Sequence, residues 1–555
     1  MIETIPRRAL LTLVCAVSAL AVPASASAAG APGCDSRNNN SPSKLVECIK
    51  TADLHSEMQD LENIAIANPG PDGHPSRNSG EPGYKASADY VANLMKKAGY
   101  DVKIQEYPFE YFAYQGVPQF SNTTSGQSFQ LVTEWNPGSS TGIADAPVEP
   151  VNNIVDPPEG KGSSAGCDPG DFPADMTGKI ALIQRGTCTF AQKAQNAVDA
   201  GAVGVVIFNQ GNTDARKTNF AGSLGGVVPI PVAFTSWQTG VDMYHAAQAG
   251  TPPTVHLDIQ AIDEIRPDYN VIADSKYGDP NRTVVVDAHL DAIYGEGMLD
   301  NASGSVSILD VAQKLAKTPT KNHLRYIWFG GEELGLLGSD YYVNNLSQSE
   351  LDKTIYDLDA DVTATPNYVV GVLDPAGPGL FSGTTTDFPP NVYAPSQASR
   401  DLFNNYFDSI GKNHIVFNAV GTDAFSFNMA GIPAGGILTG QDCCKTQAWV
   451  DKFGGTTGNF EGTLGGSIDG GCVDNPFRWC DNLDNNDFQV MTFMTKAFAD
   501  VVSRMSNDST IVPNPSAKKG KPGKGQSKAQ ARAQAARYIR QHPVVARGQH
   551  RRPLR

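Results

Sequence analysis

The chain has 555 residues with 40% hydrophobic and 18% charged side chains, enough apolar material for real cores and for about three to four domains at roughly 150 residues each. Its formal charge of −15 hides two basic ends: 12 Lys and Arg and no acid follow Asp508, so the body between is more acidic than the average. A body of that sign repels polynucleotides and argues against nucleic acid as a partner.

Taken in order, Arg7 and Arg8 precede an apolar run from Ala9 to Val22 and the small residues Ala26-Ser27-Ala28. That pattern predicts a secretory signal over residues 1–28 and a secreted mature protein. The run is about 14 residues, short of the roughly 20 that span a bilayer, and no later stretch is long enough, so no transmembrane segment is expected. Cys15 leaves with the signal. The other eight cysteines fall as Cys34/Cys48, Cys167/Cys188, Cys443/Cys444 and Cys472/Cys480, an even count that reads as disulfides in an exported chain. Local pairing is the simplest arrangement, although the adjacent Cys443 and Cys444 could each bridge elsewhere.

Residues 43–68 carry helical apolar spacing (Leu45, Ile49, Leu54, Met58, Leu61, Ile64), and 84–98 form a second amphipathic helix closed by Gly99. Tyr100 to Phe112 alternates as a strand, and the Ser-, Thr-, Gly- and Pro-rich stretch 113–150 reads as a connector. From Asn152 to about Asp263 the pattern is a compact unit: strand 179–184, helix 190–200, strand 203–209, then strand 228–234. After Tyr269, buried apolar strands at 270–273, 283–288 and 324–329 alternate with a helix over 305–316. These predict an α/β fold, a mixed, mostly parallel sheet sandwiched by helices. A last amphipathic helix covers 487–505. The basic tail lacks apolar content and is expected to be disordered; its positive charges suggest electrostatic contact with an anionic cell envelope.

Acids and one histidine gather where strands end. His289-Leu290-Asp291 follows Val284-Val285-Val286, Asp300 precedes Asn301-Ala302-Ser303-Gly304 and a helix, Glu332-Glu333 follows Ile327-Trp328-Phe329, and Asp359 and Asp361 follow 356–358. Carboxyl ends of strands in an open α/β sheet converge on one crevice, and one imidazole with several carboxylates suits Zn²⁺. Each acid alone would pass for a helix cap or first-turn residue. Four strand-end matches in succession outweigh that plainer explanation.

The chain resembles the exported co-catalytic zinc aminopeptidases of the bacterial leucyl aminopeptidase and aminopeptidase Y type, which carry an inserted protease-associated (PA) domain. The resemblance runs from about Leu54 to Met505 and rests on His289-Leu290-Asp291, Leu299-Asp300-Asn301-Ala302-Ser303-Gly304 and the passage from Gly330 through Glu332-Glu333 to Ser339. Gly178 to Phe190, with Ala200-Gly201-Ala202, resembles the insert. It implies a signal (1–28), an N-terminal part of the peptidase domain (29–140), the PA insert (141–263), the main peptidase domain with the metal site (264–506) and the tail (507–555). It also implies a peptide substrate cut at its N-terminal residue, with bulky apolar residues the expected preference.

Carried over by position, the resemblance makes Asp300 the carboxylate bridging two zinc ions, with His289 and Asp361 completing one site and Glu333 ligating the other. Glu332 is then the general base that takes a proton from the attacking water, and Asp291 fixes the tautomer of His289. Asp359, two residues before Asp361, is the easiest ligand to confuse with it. The family's late His, from a Cys-Tyr-His-x-x-Cys passage, is missing: the corresponding segment 472–480 places Phe477 there. Asp474 could substitute as an oxygen ligand; without it, one zinc rather than two is expected. Relatives commonly read Ser-Asp-His where this chain has Thr422-Asp423-Ala424, and His414 precedes a strand too early in the chain to replace the late ligand. Besides peptidase activity, the sequence leaves open a catalytically impaired peptide- or surface-binding protein, and carboxypeptidase or glutaminyl cyclase chemistry on the same fold.

Overall fold

The computed structural model describes residues 33–512, apart from 35–36, 132, 159, 161, 294, 380–385, 442–443, 461–465, 468–470 and 473–480. The expected signal, the basic tail, Cys443, Asp474, Phe477 and the Cys472/Cys480 pairing therefore lie outside the described residues. Strands over Asp101–Tyr114 (β1), Gln119–Asn122 (β2), Gln127–Ser128 (β3), Trp135–Pro137 (β4), Gly142–Pro150 (β5), Ile180–Gln184 (β6), Gly204–Phe208 (β7), Val232–Thr235 (β8) and Thr254–Ile259 (β9) are followed by Ala261–Asp274 (β10), Asp279–His289 (β11), Asn322–Phe329 (β12), Thr354–Ala360 (β13), Gly371–Leu373 (β14), Ile415–Phe417 (β15) and Ala434–Leu438 (β16).

They form two eight-stranded sheets. The larger runs β1-β10-β12-β11-β13-β16-β14-β15, and its centre, β12, β11, β13 and β16, is parallel. Val284, Val286 and Ala288 of β11 face one apolar layer, while Val285 faces the other, as expected for a strand buried on both sides. Helices cover both faces: Thr51–Ala67 (α1), Pro82–Ala98 (α2), Ser303–Leu315 (α3) and Phe488–Asn507 (α4) supply the first layer, with Tyr342 and Val343 of the Leu337–Asn345 helix on the second.

The predicted 43–68 helix is two, Pro42–Val46 and α1, split where the Cys34–Cys48 disulfide and Cys48 itself interrupt the run. Gly99 closes α2 with φ 106°, a left-handed conformation that favours glycine. A larger departure concerns 113–150. That stretch is no mere connector: β2, β3, β4 and β5 lie in it and pair into the smaller sheet, which spans 119–259 and so begins well before residue 141. The strands there are short and rich in polar residues, so little apolar alternation betrays them; what holds them is pairing with β8 and β9, a hundred residues later in the chain. A second disulfide, Cys167–Cys188, ties the loop before β6 to the one after it.

A long antiparallel ribbon joins the two sheets. β1 and β10 pair along their whole length, from Asp101 with Asp274 to Tyr114 with Ala261, but β10 pairs with β12 only over 271–274. Beyond that point one ribbon face, Tyr107, Phe109 and Tyr111, packs beside Leu334, Leu337 and Tyr341. Tyr107 also donates its hydroxyl to the Gly330 carbonyl (2.7 Å), with Asp268 of β10 3.1 Å from the same oxygen, fastening the ribbon to the loop after β12. We expect Tyr107→Phe, which leaves those buried acceptors short of a donor, to destabilise the protein by about 1–3 kcal/mol in urea denaturation.

Candidate metal centre

His289 ends β11, Asp361 directly follows β13, and Glu332 follows β12, so three adjacent parallel strands deliver their carboxyl ends to one place. Asp300 reaches it from an irregular turn, Met298–Ala302, in which Asp300 (φ −114°, ψ 99°) and Asn301 (φ −132°, ψ 45°) are not helical. The Nε2 atom of His289 lies 3.0 Å from Asp300 Oδ1, 3.4 Å from Asp361 Oδ1 and 3.9 Å from Glu332 Oε2. All four side chains are buried. Among the described residues, His289, Asp300 and Asp361 are the one group whose ligand atoms all lie within 4.8 Å of one another.

Burial alone would lower the imidazole pKa. The charge of Glu332 and the contacts to Asp291, Asp300 and Asp361 overcome it and hold His289 well above its ordinary value. Glu332 is pushed well above the carboxylate range by burial, against the opposing pull of His289 and with repulsion from Asp361, Asp423 and Asp300 added. The protein alone therefore retains protons where a multivalent cation would neutralise the same acids. Ligand atoms around a tetrahedral divalent ion stand roughly 3.4 Å apart, and the 3.0 and 3.4 Å separations from His289 match. The donor set, one imidazole and buried carboxylates, fits such an ion.

Neighbouring groups orient the ligands. Nδ1 of His289 lies 3.2 Å from the carbonyl oxygen of Asp291, which can only accept, so the proton sits on Nδ1 and Nε2 is left for the ion. The Asp291 carboxylate, 3.4 Å from Nδ1, also accepts the amides of Glu332 (3.2 Å) and Glu333 (3.4 Å) and the Ser79 hydroxyl (3.1 Å). It thus positions both the imidazole and the glutamate pair. Glu333 is buried as well, and Glu332 is the member of that pair within ion-pair range of His289.

Asn301 and Asp481 are residues the sequence reading missed. Asn301 donates to the Ala360 carbonyl (2.9 Å) and accepts from the amides of Val362 (3.0 Å) and Gly304 (2.8 Å), so one side chain grips the backbone on both sides of Asp361. Val362 beside it has φ 51°, a left-handed conformation unusual for a β-branched residue, in keeping with a backbone bent to aim Asp361. Asp481 accepts the amides of Leu299 (2.6 Å) and Asp300 (2.9 Å), and burial raises its pKa to about 7. The sole signal for Asn301 was its place immediately after Asp300; Asp481 offered none beyond following Cys480.

Asp359 does not join the ligands. It takes the Thr422 hydroxyl and the Ala424 amide (3.3 Å), and with Asp287, Asp357 and Asp423 it forms a fully buried acidic layer under the site, every member raised by burial first and by its neighbours second. The Thr422-Asp423-Ala424 passage thus packs against Asp359. His414, judged too early in the chain to replace the late ligand, pairs with Asp408 (3.1 Å) and is not in the His289 group.

Residues 270–486 match a model of peptidase family M28 and residues 150–243 match the PA domain. An aminopeptidase of Pseudomonas aeruginosa is 35% identical over 504 residues, covering 88% of this chain and 87% of that one. A probable leucine aminopeptidase 2 of Aspergillus fumigatus is 34% identical over 452 residues, 78% of this chain and 81% of the relative. Among solved structures, an aminopeptidase from Aneurinibacillus sp. strain AM-1 (TM-score 0.53, 21% identity, 86% of this chain and 98% of that one) and a zinc aminopeptidase from Bacillus subtilis (0.51, 22%, 86% and 98%) share the fold.

The outer shell carries its own pH dependence. Asp268, 3.1 Å from the Tyr107 hydroxyl, is pushed up to about 8 by burial and then by the charge of Asp291. An unfolded aspartate titrates near ~3.9, so between pH ~4 and ~8 the folded chain holds a proton that the unfolded chain has released. Its contribution is full at pH 4 and is lost as pH rises through 8. Chelator-treated protein should lose stability over that interval in denaturation at stepped pH, and Asp268→Asn should flatten the loss.

Proposed function

Because the chain belongs to peptidase family M28, we propose that it is an exported zinc aminopeptidase that removes N-terminal residues, bulky apolar ones preferentially, from peptides. The observation that carries this reading is Glu332, a buried carboxylate 3.9 Å from the imidazole of His289 on the ligand-bearing face. His289, Asp300 and Asp361 hold one zinc; Glu333, with Asp474 in place of the family's late histidine, is proposed for a second. Zinc, when bound, polarises the scissile carbonyl and makes water a stronger acid.

The chain's own residues supply the rest. Glu332 takes the proton of the attacking water; burial raises its proton affinity, and the charge of a bound cation would favour the ionised form that a base requires. It lies beside the ligands without being among the three that group within 4.8 Å, which leaves its carboxylate free for proton transfer. Asp291 holds His289 and the Glu332 amide in fixed relation. The names of the Pseudomonas and Aspergillus relatives support cleavage at the N-terminal end. Export is supported by the N-terminal pattern and by the Cys34–Cys48 and Cys167–Cys188 disulfides; among the described residues no helix is long and apolar enough to cross a membrane.

The mature protein with added Zn²⁺ should release p-nitroaniline from leucine p-nitroanilide but not from its N-acetylated form. Chelation should abolish turnover and zinc restore it. Glu332→Gln should lower kcat by about 10²- to 10⁴-fold while zinc content stays unchanged. Equal turnover by the two proteins would remove Glu332 from the reaction, and cleavage of the blocked substrate would reject the aminopeptidase assignment.

A further inference from the structure

The segment from Leu290 to Leu299 links His289 to Asp300, and buried charges from distant parts of the chain grip it from two sides. Arg77, between α1 and α2, is fully buried. Its Nε donates to the Glu296 carbonyl (2.6 Å), Nη1 to the Leu290 carbonyl (2.5 Å) and Nη2 to the Gly297 carbonyl (2.5 Å). The neighbouring backbone adds Arg77 N to Gly295 O (2.8 Å) and Ala292 N to Arg77 O (3.2 Å). On the other side, Asp481 takes the amides of Leu299 and Asp300 on its two carboxylate oxygens and that of Met298 (3.0 Å) on its carbonyl. The cation collects carbonyls and the anion collects amides.

We infer that Arg77 and Asp481 are positioning residues, a charge clamp that presets His289 and Asp300 for metal without touching the ion. The inference rests on the zinc reading above. The described residues of the connecting segment and the Asp300 turn are irregular, and Leu290 to Ala292 and Met298 to Asp300 are buried, so their peptide groups have no regular ladder to satisfy them, and an unmet buried group is costly. A planar guanidinium offers its donors in a rigid fork, which fixes several carbonyls in one geometry; a single ammonium cannot. A carboxylate receiving two successive amides is similarly bidentate and charge-assisted. A metal site tolerates only about 0.5 Å of ligand displacement, so the segment must be held from both sides before the ion arrives.

The test compares the mature full-length protein with Arg77→Met, Arg77→Lys and Asp481→Asn. Each is assayed for zinc affinity by competition with a chromogenic chelator, for the visible absorption of its Co²⁺ form, for kcat and KM on leucine p-nitroanilide, and for its melting midpoint by circular dichroism. Arg77→Met and Asp481→Asn should bind zinc about 10- to 100-fold more weakly. Their cobalt bands should shift, and kcat should fall with KM changed by less than about two-fold. Arg77→Lys, keeping the charge but not the fork, should recover part of the affinity. If Arg77→Met does not fold, the other two variants carry the comparison. Folded variants with a lower melting midpoint but wild-type zinc affinity and unshifted cobalt bands would overturn the clamp and leave the zinc reading intact. A wild-type protein that binds no zinc would overturn both.

Discussion

Carboxylates crowded around a single buried imidazole are the constraint on which the rest of this structure turns. Asp300, Asp361 and Glu332 each approach Nε2 of His289 within 3.9 Å, and all four side chains are buried. Like charges at such range repel, and removal from water compounds the penalty, so the arrangement persists only where positive charge is supplied. In the protein alone, the same crowding raises the proton affinity of both His289 and Glu332. A divalent ion supplies positive charge, which is why a cluster unfavourable for folding is favourable for binding metal.

The fold is arranged to sustain that expense. Three parallel strands present their ends side by side, where the sheet itself dictates the spacing of His289, Glu332 and Asp361. Asp300, which no strand delivers, is held by side chains: Asn301 ties its turn to the backbone around Asp361, and Asp481 receives its amide. The buried acidic layer of Asp287, Asp357, Asp359 and Asp423 lies beneath, each acid raised above the carboxylate range by burial and by its neighbours. The β1/β10 ribbon joins this construction to the smaller sheet, and Tyr107 couples the ribbon to the carbonyl of Gly330, two residues before Glu332.

Much of this was legible in the chain. The apolar strands from 270 onward, the helices between them and the acids at strand ends follow from local pattern, because burial on both faces leaves a continuous apolar run and the chemistry must begin where that run stops. Helix α2 and its closing Gly99 were equally plain. The strands within 119–150 were not, since they are short, polar and stabilised by partners near 232–259. The role of Asp291 was only partly visible: its link to His289 was implied by the family resemblance, whereas its hold on the amides of Glu332 and Glu333 depends on β11 lying beside β12.

By itself, then, the sequence determined which residue types the site contains and that strand ends carry them, because hydrophobic periodicity and residue chemistry are local properties. Tertiary structure supplied the physical separation of Asp361, which the resemblance had named, from Asp359: Asp359 is taken up by Thr422 and Ala424, while Asp361 stands 3.4 Å from the imidazole. It also brought Arg77 and Asp481, some four hundred positions apart, onto one segment. The reason is physical. A backbone group's need for a partner is written into every residue, but which distant side chain meets that need is settled only when the chain has folded around it.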